Sequence, residues 1–355
     1  MGYISSPMLF TEIEEKVSSF IDLFAGIGGI RLAFEPYGKC VFSSEWDRHS
    51  QLTYIANFGE RPWGDITKIK AIDIPQHDLL LAGFPCQAFS VAGYRKGFED
   101  TRGTLFYDVA RILAVHQPKA FLLENVKGLV SHDHGTTFDI ITRVLKEELD
   151  YEVYTQVLDS RNYANVPQTR ERIFIVGFHK EKVKDYFDFT FPERTPLTKT
   201  IHEILEHERQ EDKYYYPPSH MYFAKMNEAI KNPNTIYQWR RTYVRENKSN
   251  ACPTLTANMG TGGHNVPLVR DAYGIRKLTP RECARFQGFP DSHVFPKELS
   301  DTKKYYQIGN SVTVSLVERI AEQIIQVLDV KPEEVEQVSE PHNSPTITAN
   351  FSTAG

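Results

Sequence analysis

Three short stretches of this 355-residue chain carry reactive side chains, two of them directly after apolar runs. In AGFPCQAFS at 82–90, Cys86 follows Pro85 in a Gly- and Pro-rich loop. A lone cysteine is usually a small core residue. In a loop at the edge of a sheet it reads instead as a nucleophile. Glu124 and Asn125 close the apolar run of FLLENV. A carboxyl group placed there is partly desolvated, which raises its pKa and lets it donate a proton; its plainer role would be to cap the next segment. In QTRERIF at 168–174, Gln168, Arg170 and Arg172 occupy alternate positions, which predicts one face of a strand. Two guanidiniums on one face can hold a carboxylate together with a phosphate or a base carbonyl, or can line an exposed strand edge.

A second set of residues suggests a cofactor. IDLFAGIGG at 21–29 runs from a strand into a Gly-rich turn, where the backbone can approach a ligand closely. A dinucleotide fingerprint would want glycine at 26, 28 and 31, but position 31 is Arg31, so the pyrophosphate site is incomplete. Glu45 ends the next strand, where it can accept hydrogen bonds from a ribose diol. Trp46 offers a flat face for adenine, and Asp65 an acceptor for its amino group. Each alone could be structural; together they point to an adenosine-containing cofactor without a bound phosphate tail.

Alternating elements must position these groups. Apolar runs predict strands at 19–24, 40–44, 78–82, 120–123, 151–158 and 172–178. Helices are predicted near 30–35, from an Asp47 cap to about 57, from 104 to about 116, and over 136–149, where Phe138, Ile141, Val144, Leu145 and Leu149 recur at helical steps. Such alternation implies an α/β fold, its parallel-rich sheet covered on both faces and its ligands at the carboxyl ends of the strands. From about 180 to 277 the chain turns rich in Tyr, Pro, Asn and charge, and reads as a separate, irregular domain. A helix over 312–327 is expected to pack back on the first domain, and the polar, acidic 331–355 reads as a tail. CPTLTANMGTGG at 252–263 and SPTITANFSTAG at 344–355 agree at seven of twelve positions, which fits either chance likeness of turn-rich segments or a duplicated piece of the second domain.

Composition narrows the class. Apolar residues make up 41% and 21 glycines add to them, so disorder throughout is excluded. No uncharged apolar run approaches ~18 residues. The first residues, with Glu12, Glu14 and Glu15, lack the pattern of a signal peptide. Cys40, Cys86, Cys252 and Cys283 form no C-x-x-C pair, so neither a zinc knuckle nor a disulfide framework is expected. A reducing, cytoplasmic setting fits. The net charge of −5 conceals segregation: Arg240, Arg241, Arg245 and Lys248 cluster in one stretch, and Arg270, Arg276, Lys277, Arg281 and Arg285 in another. Either could form a basic face on an acidic protein.

The constellation closely resembles the DNA (cytosine-5)-methyltransferases of bacterial restriction–modification systems. The Phe-Ala-Gly-Ile-Gly-Gly turn, Pro85-Cys86-Gln87, Glu124-Asn125-Val126, Gln168-x-Arg170-x-Arg172, RECARFQGFP at 281–290 and Gly309-Asn310-Ser311-Val312 stand in that family's order, over about 18–328. The resemblance implies a Rossmann-like S-adenosylmethionine-dependent fold with a smaller, irregular target-recognition domain. Its parts would be an arm (1–17), a catalytic and cofactor-binding domain (18–190), the recognition domain (191–277), a hinge and return (278–330) and a flexible tail (331–355). It implies Cys86 adding to carbon 6 of a flipped-out cytosine in double-stranded DNA, with Glu124 protonated at ring nitrogen 3. Arg172 would hold the base carbonyl, and Arg170 would steady Glu124 or a phosphate. S-adenosylmethionine would lie among Phe24, Gly26, Ile27, Gly29, Glu45, Trp46, Asp65, Ile66, Leu105, Asn310 and Val312. DNA would meet Arg95 and Lys96 on a mobile loop over 87–103. Arg240, Arg241, Thr254, Gly260 and Gly262 would meet it in the recognition domain, where Thr254-Leu255 matches the family's Thr-Leu pair. No metal is implied, and the expected partners are DNA and a companion endonuclease acting on the same site, with the enzyme a monomer.

Other readings are weaker. A nicotinamide oxidoreductase has no use for Cys86, Glu124 and Arg172 together, and it lacks its third glycine. A tRNA cytosine methyltransferase shares the catalytic motifs, but the long, turn-rich recognition span favours duplex DNA. A catalytically silent DNA-binding protein has no need of Cys86 and Glu124.

Overall fold

The structure is a computed structural model that describes residues 19–85, 105–240, 242–248, 250–261 and 266–328. The expected arm, tail and active-site loop, and with them Cys86, Arg95, Lys96, Arg241 and Gly262, lie outside the described residues.

Six strands form the main sheet: β1 (Ser19–Leu23), β2 (Lys39–Ser44), β3 (Leu79–Gly83), β4 (Ala120–Val126), β5 (Tyr151–Asp159) and β7 (Glu171–His179), in the order β2-β1-β3-β4-β7-β5. A two-residue strand, β6 (Gln168–Thr169), stands apart from it. Strands β2, β1, β3 and β4 are parallel, whereas β7 runs antiparallel to both β4 and β5. The centre is buried on both faces, which is why its strands read as continuous apolar runs rather than alternating ones. On one face, α1 (Gly29–Phe34) and a late helix, α9 (Val314–Val327), contribute Phe34, Leu316, Val317 and Ile320. On the other, α3 (Leu105–His116) and α4 (Thr136–Arg143) contribute Phe106, Val109, Leu113 and Ile141. The helix α2 (Arg48–Phe58) is capped as the sequence predicts, with the Asp47 carboxylate accepting from the Ser50 amide at 2.9 Å. The strand order reverses at β1, so the chain leaves β1 and β3 toward opposite faces of the sheet and a crevice lies at their carboxyl ends.

The predicted helix over 136–149 is not uniform. It is α-helical to Arg143 and then makes one π turn, Val144–Glu148, closed by Leu149 N–H donating to the Val144 carbonyl at 3.0 Å. The wider turn lets the adjacent Val144 and Leu145 both enter the core.

The span expected to be irregular contains a second, antiparallel sheet. Its strands are β8 (Tyr237–Arg240), β9 (Tyr243–Glu246), β11 (Leu268–Asp271) and β12 (Gly274–Lys277), ordered β12-β11-β8-β9. Four-residue strands with mixed apolar and charged residues give too short an alternation to stand out in the sequence. The short β10 (Cys252–Pro253) leaves this sheet and pairs in parallel with β6. A short helix, α6 (Phe223–Ala229), backs the second sheet.

Arg276 fixes how this sheet meets the hinge helix α7 (Pro280–Phe286). Its guanidinium donates to both Glu282 carboxylate oxygens at 2.8 Å and to Asp271 at 2.6 Å, with Arg276 and Glu282 fully buried. Glu282 also accepts from the Thr279 amide in a reciprocal capping box. Removing one partner strands a buried charge. Arg276→Met should therefore cost ~3–5 kcal/mol, and Arg276→Met/Glu282→Gln should recover part of that loss. Denaturant midpoints of the three proteins check this.

Candidate active site

The crevice at the strand ends is a cleft of about 700 Å³. Its first wall is the turn from β1 to α1, where Phe24 and Gly26 both have φ of 56°. Glycine adopts that conformation freely, while Phe24 holds it under strain. The Gly26 amide, turned inward by this geometry, donates to Glu45 Oε2 at 2.8 Å, and Glu45 Oε1 accepts from the Asp47 amide at 2.7 Å. Burial pushes the Glu45 carboxyl above its ordinary range despite these bonds. Trp46, beside it, is 78% exposed and faces the cleft. Asp65 caps the 3₁₀ turn Ile66–Lys68 by accepting from the Thr67 amide and hydroxyl, bonds that hold its carboxyl below the usual range. Ile66, Leu105, Asn310 and Val312 also line the cleft. Gly29 is needed for packing: a Cβ there would stand 2.6 Å from Ser311 Oγ and 3.0 Å from Val312.

Ile27 does not line the cleft. Its side chain is buried among Ile201, Ile236 and Phe286 at the junction with the second sheet. Conversely, the cleft includes residues not assigned to it from the sequence, among them Asp22, Ser50, Tyr306 and Gln307. Asp22 is 1% exposed and its Oδ2 has no hydrogen-bond partner. Burial pushes its carboxyl up to about 7, against the pull of Arg31. An acid inside the β1 run was a possible sequence signal, since such strand positions are normally apolar.

At the other end, Glu124 closes β4 and Arg172 enters from β7. Register pairs Val126 with Arg172, so the antiparallel strand brings the guanidinium beside the carboxylate, with Nε 3.0 Å from Oε1. Desolvation raises the Glu124 pKa, and the charges of Arg172 and Arg170 oppose it. Asn125 donates to the Phe84 carbonyl at 2.8 Å, and its Oδ1 accepts from the Val126 amide. This ties the end of β4 to the loop through Pro85, which Cys86 follows in sequence.

The alternate residues of 168–172 do not share one strand. The chain breaks at Arg170, between β6 and β7. Arg170 is 1% exposed and donates to the carbonyls of Leu255 (2.8 Å), Gly309 (3.2 Å) and Ser311 (2.6 Å). It makes no hydrogen bond to Glu124, whose direct partner is Arg172, but it lines the cleft and its charge favours the ionised form of Glu124 across space. Burial lowers the Arg170 pKa to about 9.

The expected DNA-contacting residues divide in the same way. The Thr254 hydroxyl donates to the Thr169 carbonyl at 2.5 Å, and a Cβ on Gly260 would stand 2.9 Å from Tyr305. Both are half-buried, and these contacts fix their place in the loop. The second basic stretch is no basic face either: Arg270 donates to Ile230 and Asn227, Arg281 to Pro290 and His293, and Arg285 pairs with Asp291, while Arg276 is buried. Arg240 is exposed at the end of β8.

The fold, an open α/β sheet with a half-buried carboxylate–guanidinium pair at its carboxyl edge, is that of the methyltransferases found by comparison. Residues 18–326 match the family described as C-5 cytosine-specific DNA methylase. The chain is 50% identical over 308 residues to the type II methyltransferase M.Bsp6I of a Bacillus species, covering 85% of this chain and 96% of the relative. It is 46% identical over 325 residues to M.DsaV of Dactylococcopsis salina, covering 91% and 90%. Among solved structures, the S. pombe Dnmt2 methyltransferase superposes with a TM-score of 0.67 at 22% identity, over 88% of this chain and 98% of that one. The chain belongs to the C-5 cytosine-specific DNA methylase family. Its activity is methyl transfer to carbon 5 of cytosine in DNA, which excludes the nicotinamide-oxidoreductase reading.

The Asp22 shift has a testable sign. Folded Asp22 keeps its proton up to about pH 7, whereas an unfolded aspartate loses it near ~4. Between these values the folded state binds the extra proton, so the contribution of Asp22 to stability falls as pH rises through that window. Asp22→Asn should remove this part of the slope and be relatively most favourable at pH 8, read from urea midpoints between pH 5 and 8.

Proposed function

We propose that the chain methylates a cytosine within one specific duplex sequence through a covalent Cys86 adduct, in a restriction–modification setting with a companion endonuclease acting on the same sequence. The observation that carries this is the Glu124–Arg172 pair at the cleft floor, one strand from the loop that leads to Cys86. A base inside the helix is out of reach, so the target flips out at a cost of roughly a few kcal/mol. S-adenosylmethionine, when bound, supplies an electrophilic methyl group. The Cys86 thiolate adds to carbon 6, and the displaced electron pair makes carbon 5 nucleophilic. Glu124, whose proton affinity burial raises, would bring a proton to ring nitrogen 3 as negative charge develops there. Arg172, oriented by Glu124, holds the base carbonyl oxygen. After transfer a base removes the carbon-5 proton, the ring double bond re-forms and Cys86 leaves.

The donor set suits an adenosine-containing methyl donor. Each Glu45 oxygen accepts one backbone bond and keeps a lone pair for a ribose hydroxyl. Trp46 and Ile66 would flank adenine and Asp65 would accept from its amino group. Phe24, Gly26 and Gly29 would border the methionine and ribose, and Leu105, Asn310 and Val312 would close the pocket. Residues 18–190 and 278–330 would act as the catalytic unit and hinge, and 191–277 as the reading unit. Arg95, Lys96, Arg240, Arg241, Thr254, Gly260 and Gly262 would meet DNA. No helix among the described residues is long and apolar enough to cross a membrane, which is compatible with a monomer acting on DNA in the bacterial cytoplasm.

DNA with 5-fluorocytosine at the target tests the mechanism, because fluorine replaces the removable proton and elimination stalls. The wild type should remain attached to such DNA only when cofactor is present, with mass spectrometry placing the bond on Cys86. An adduct on Cys40, Cys252 or Cys283, or none, overturns the assignment. Glu124→Gln should slow adduct formation without moving it.

Trp46→Ala should weaken S-adenosylmethionine about tenfold, since stacking on an aromatic ring is worth ~1–3 kcal/mol. DNA affinity should be unchanged. Calorimetry showing equal cofactor affinity would remove Trp46 from the pocket.

A further inference from the structure

Strand alternation sorts the second sheet into two faces. Tyr237, Trp239, Leu268 and Ile275 pack with Met226 and Ile230 on one side. Ile236 and Val269 lie on the other, in the cluster that joins this sheet to Ile27, Cys283 and Phe286. Arg276, opposite Val269 in register, is buried against Glu282 on that same side. The face turned toward the catalytic unit therefore continues along the edge hairpin as Gln238 and Arg240, with Arg245 and Tyr243 directly across the ladder from them. There its covering ends. Arg240, Tyr243 and Arg245 are exposed and Gln238 is half-buried. Among the described residues no hydrogen bond, ion pair or ring contact engages these four side chains.

We propose that Gln238, Arg240, Tyr243 and Arg245 form the base-reading face of this enzyme, and that the recognised sequence carries guanines where Arg240 and Arg245 meet it. The proposal rests on the reading above that the chain methylates a specific duplex sequence. A two-stranded antiparallel ribbon fits the major groove, and a guanidinium presented there matches guanine O6 and N7 with two hydrogen bonds. The arginines at 270–285 are tied into the protein, whereas these two are left free on a rigid support. Trp239, on the opposite face of the same strand, lies against Tyr222 with ring centroids 4.6 Å apart. Holding the strand by its back face lowers the ordering cost of binding through its front. Tyr243 beside Arg240, and Gln238 beside Arg245, flank each guanidinium at cross-strand distance and narrow the directions it can take.

The test uses the full-length enzyme on a duplex library randomised around cytosine, read by bisulfite sequencing. The wild type is expected to require guanine at fixed positions. Arg240→Ala and Arg245→Ala should each relax the requirement at a different guanine by about tenfold or more. Replacing that guanine by 7-deazaguanine, which lacks N7, should slow the wild type but not the matching alanine variant. Unchanged S-adenosylmethionine affinity shows that the variants are folded, and Lys225→Ala, exposed on the helix behind the sheet, should keep the wild-type motif and rate. A motif without guanine, alanine variants that keep the wild-type motif, or full restoration by Arg240→Lys and Arg245→Lys would each overturn the proposal, the last by assigning phosphate contacts. Methylation without any sequence preference would instead bring down the parent reading, and this proposal with it.

Discussion

The guanidinium of Arg170 joins three parts of the chain that are far apart in sequence. It sits where β6 gives way to β7, and its donors reach carbonyls of Leu255, from the span of the second sheet, and of Gly309 and Ser311, from the hinge. None of these acceptors is a carboxylate. A charge removed from water in this way is costly unless dipoles replace its hydration, and three carbonyls supply that replacement only when all three segments are docked. The cost of stranding the charge thus makes the docking cooperative. Gln168 reinforces it by donating to the Phe286 carbonyl and accepting from the Leu255 amide.

Much of the cleft follows from that junction. With 309–312 held, Ser311 and Val312 lie against Gly29 and close the α1 end of the crevice. With β7 held antiparallel to β4, Arg172 meets Glu124 at the other end. The reversed strand is what makes the pair possible: a parallel neighbour would carry its residue 172 away from the carboxyl edge. Asn125 completes the arrangement by binding the Phe84 carbonyl, so the carboxylate and the loop toward Cys86 share one anchor.

The charged groups show a division of labour set by desolvation. Glu124 and Asp22 are pushed toward their neutral forms by burial. Asp65, near the surface, is held ionised by hydrogen bonds. Acids of one chemical type therefore have their proton affinity raised at one end of the cleft and lowered at the other, with the protein interior rather than residue identity setting the difference.

Much was legible in the sequence. The apolar runs located the strands of the main sheet because buried parallel strands have no polar face to interrupt them. The motifs at 21–29, 82–90, 124–126 and 168–172 named groups that chemistry could use, because strand ends are where such groups can be held without a polar core. Tertiary structure decided the rest. Whether a given arginine is a reader or an anchor depends on what stands opposite it: Arg170 and Arg276 face carbonyls and carboxylates inside the fold, while Arg240 faces none among the described residues. The second sheet escaped the sequence because its strands span four residues each and gain their order from Tyr222, Met226 and Ile230 behind them. Asp22 stands out in the sequence only as an acid within an apolar run; its raised pKa arises when the folded sheet removes water from its carboxyl group. Local pattern determines which residues can be buried or exposed; partners, pKa values and free faces arise only when distant segments meet.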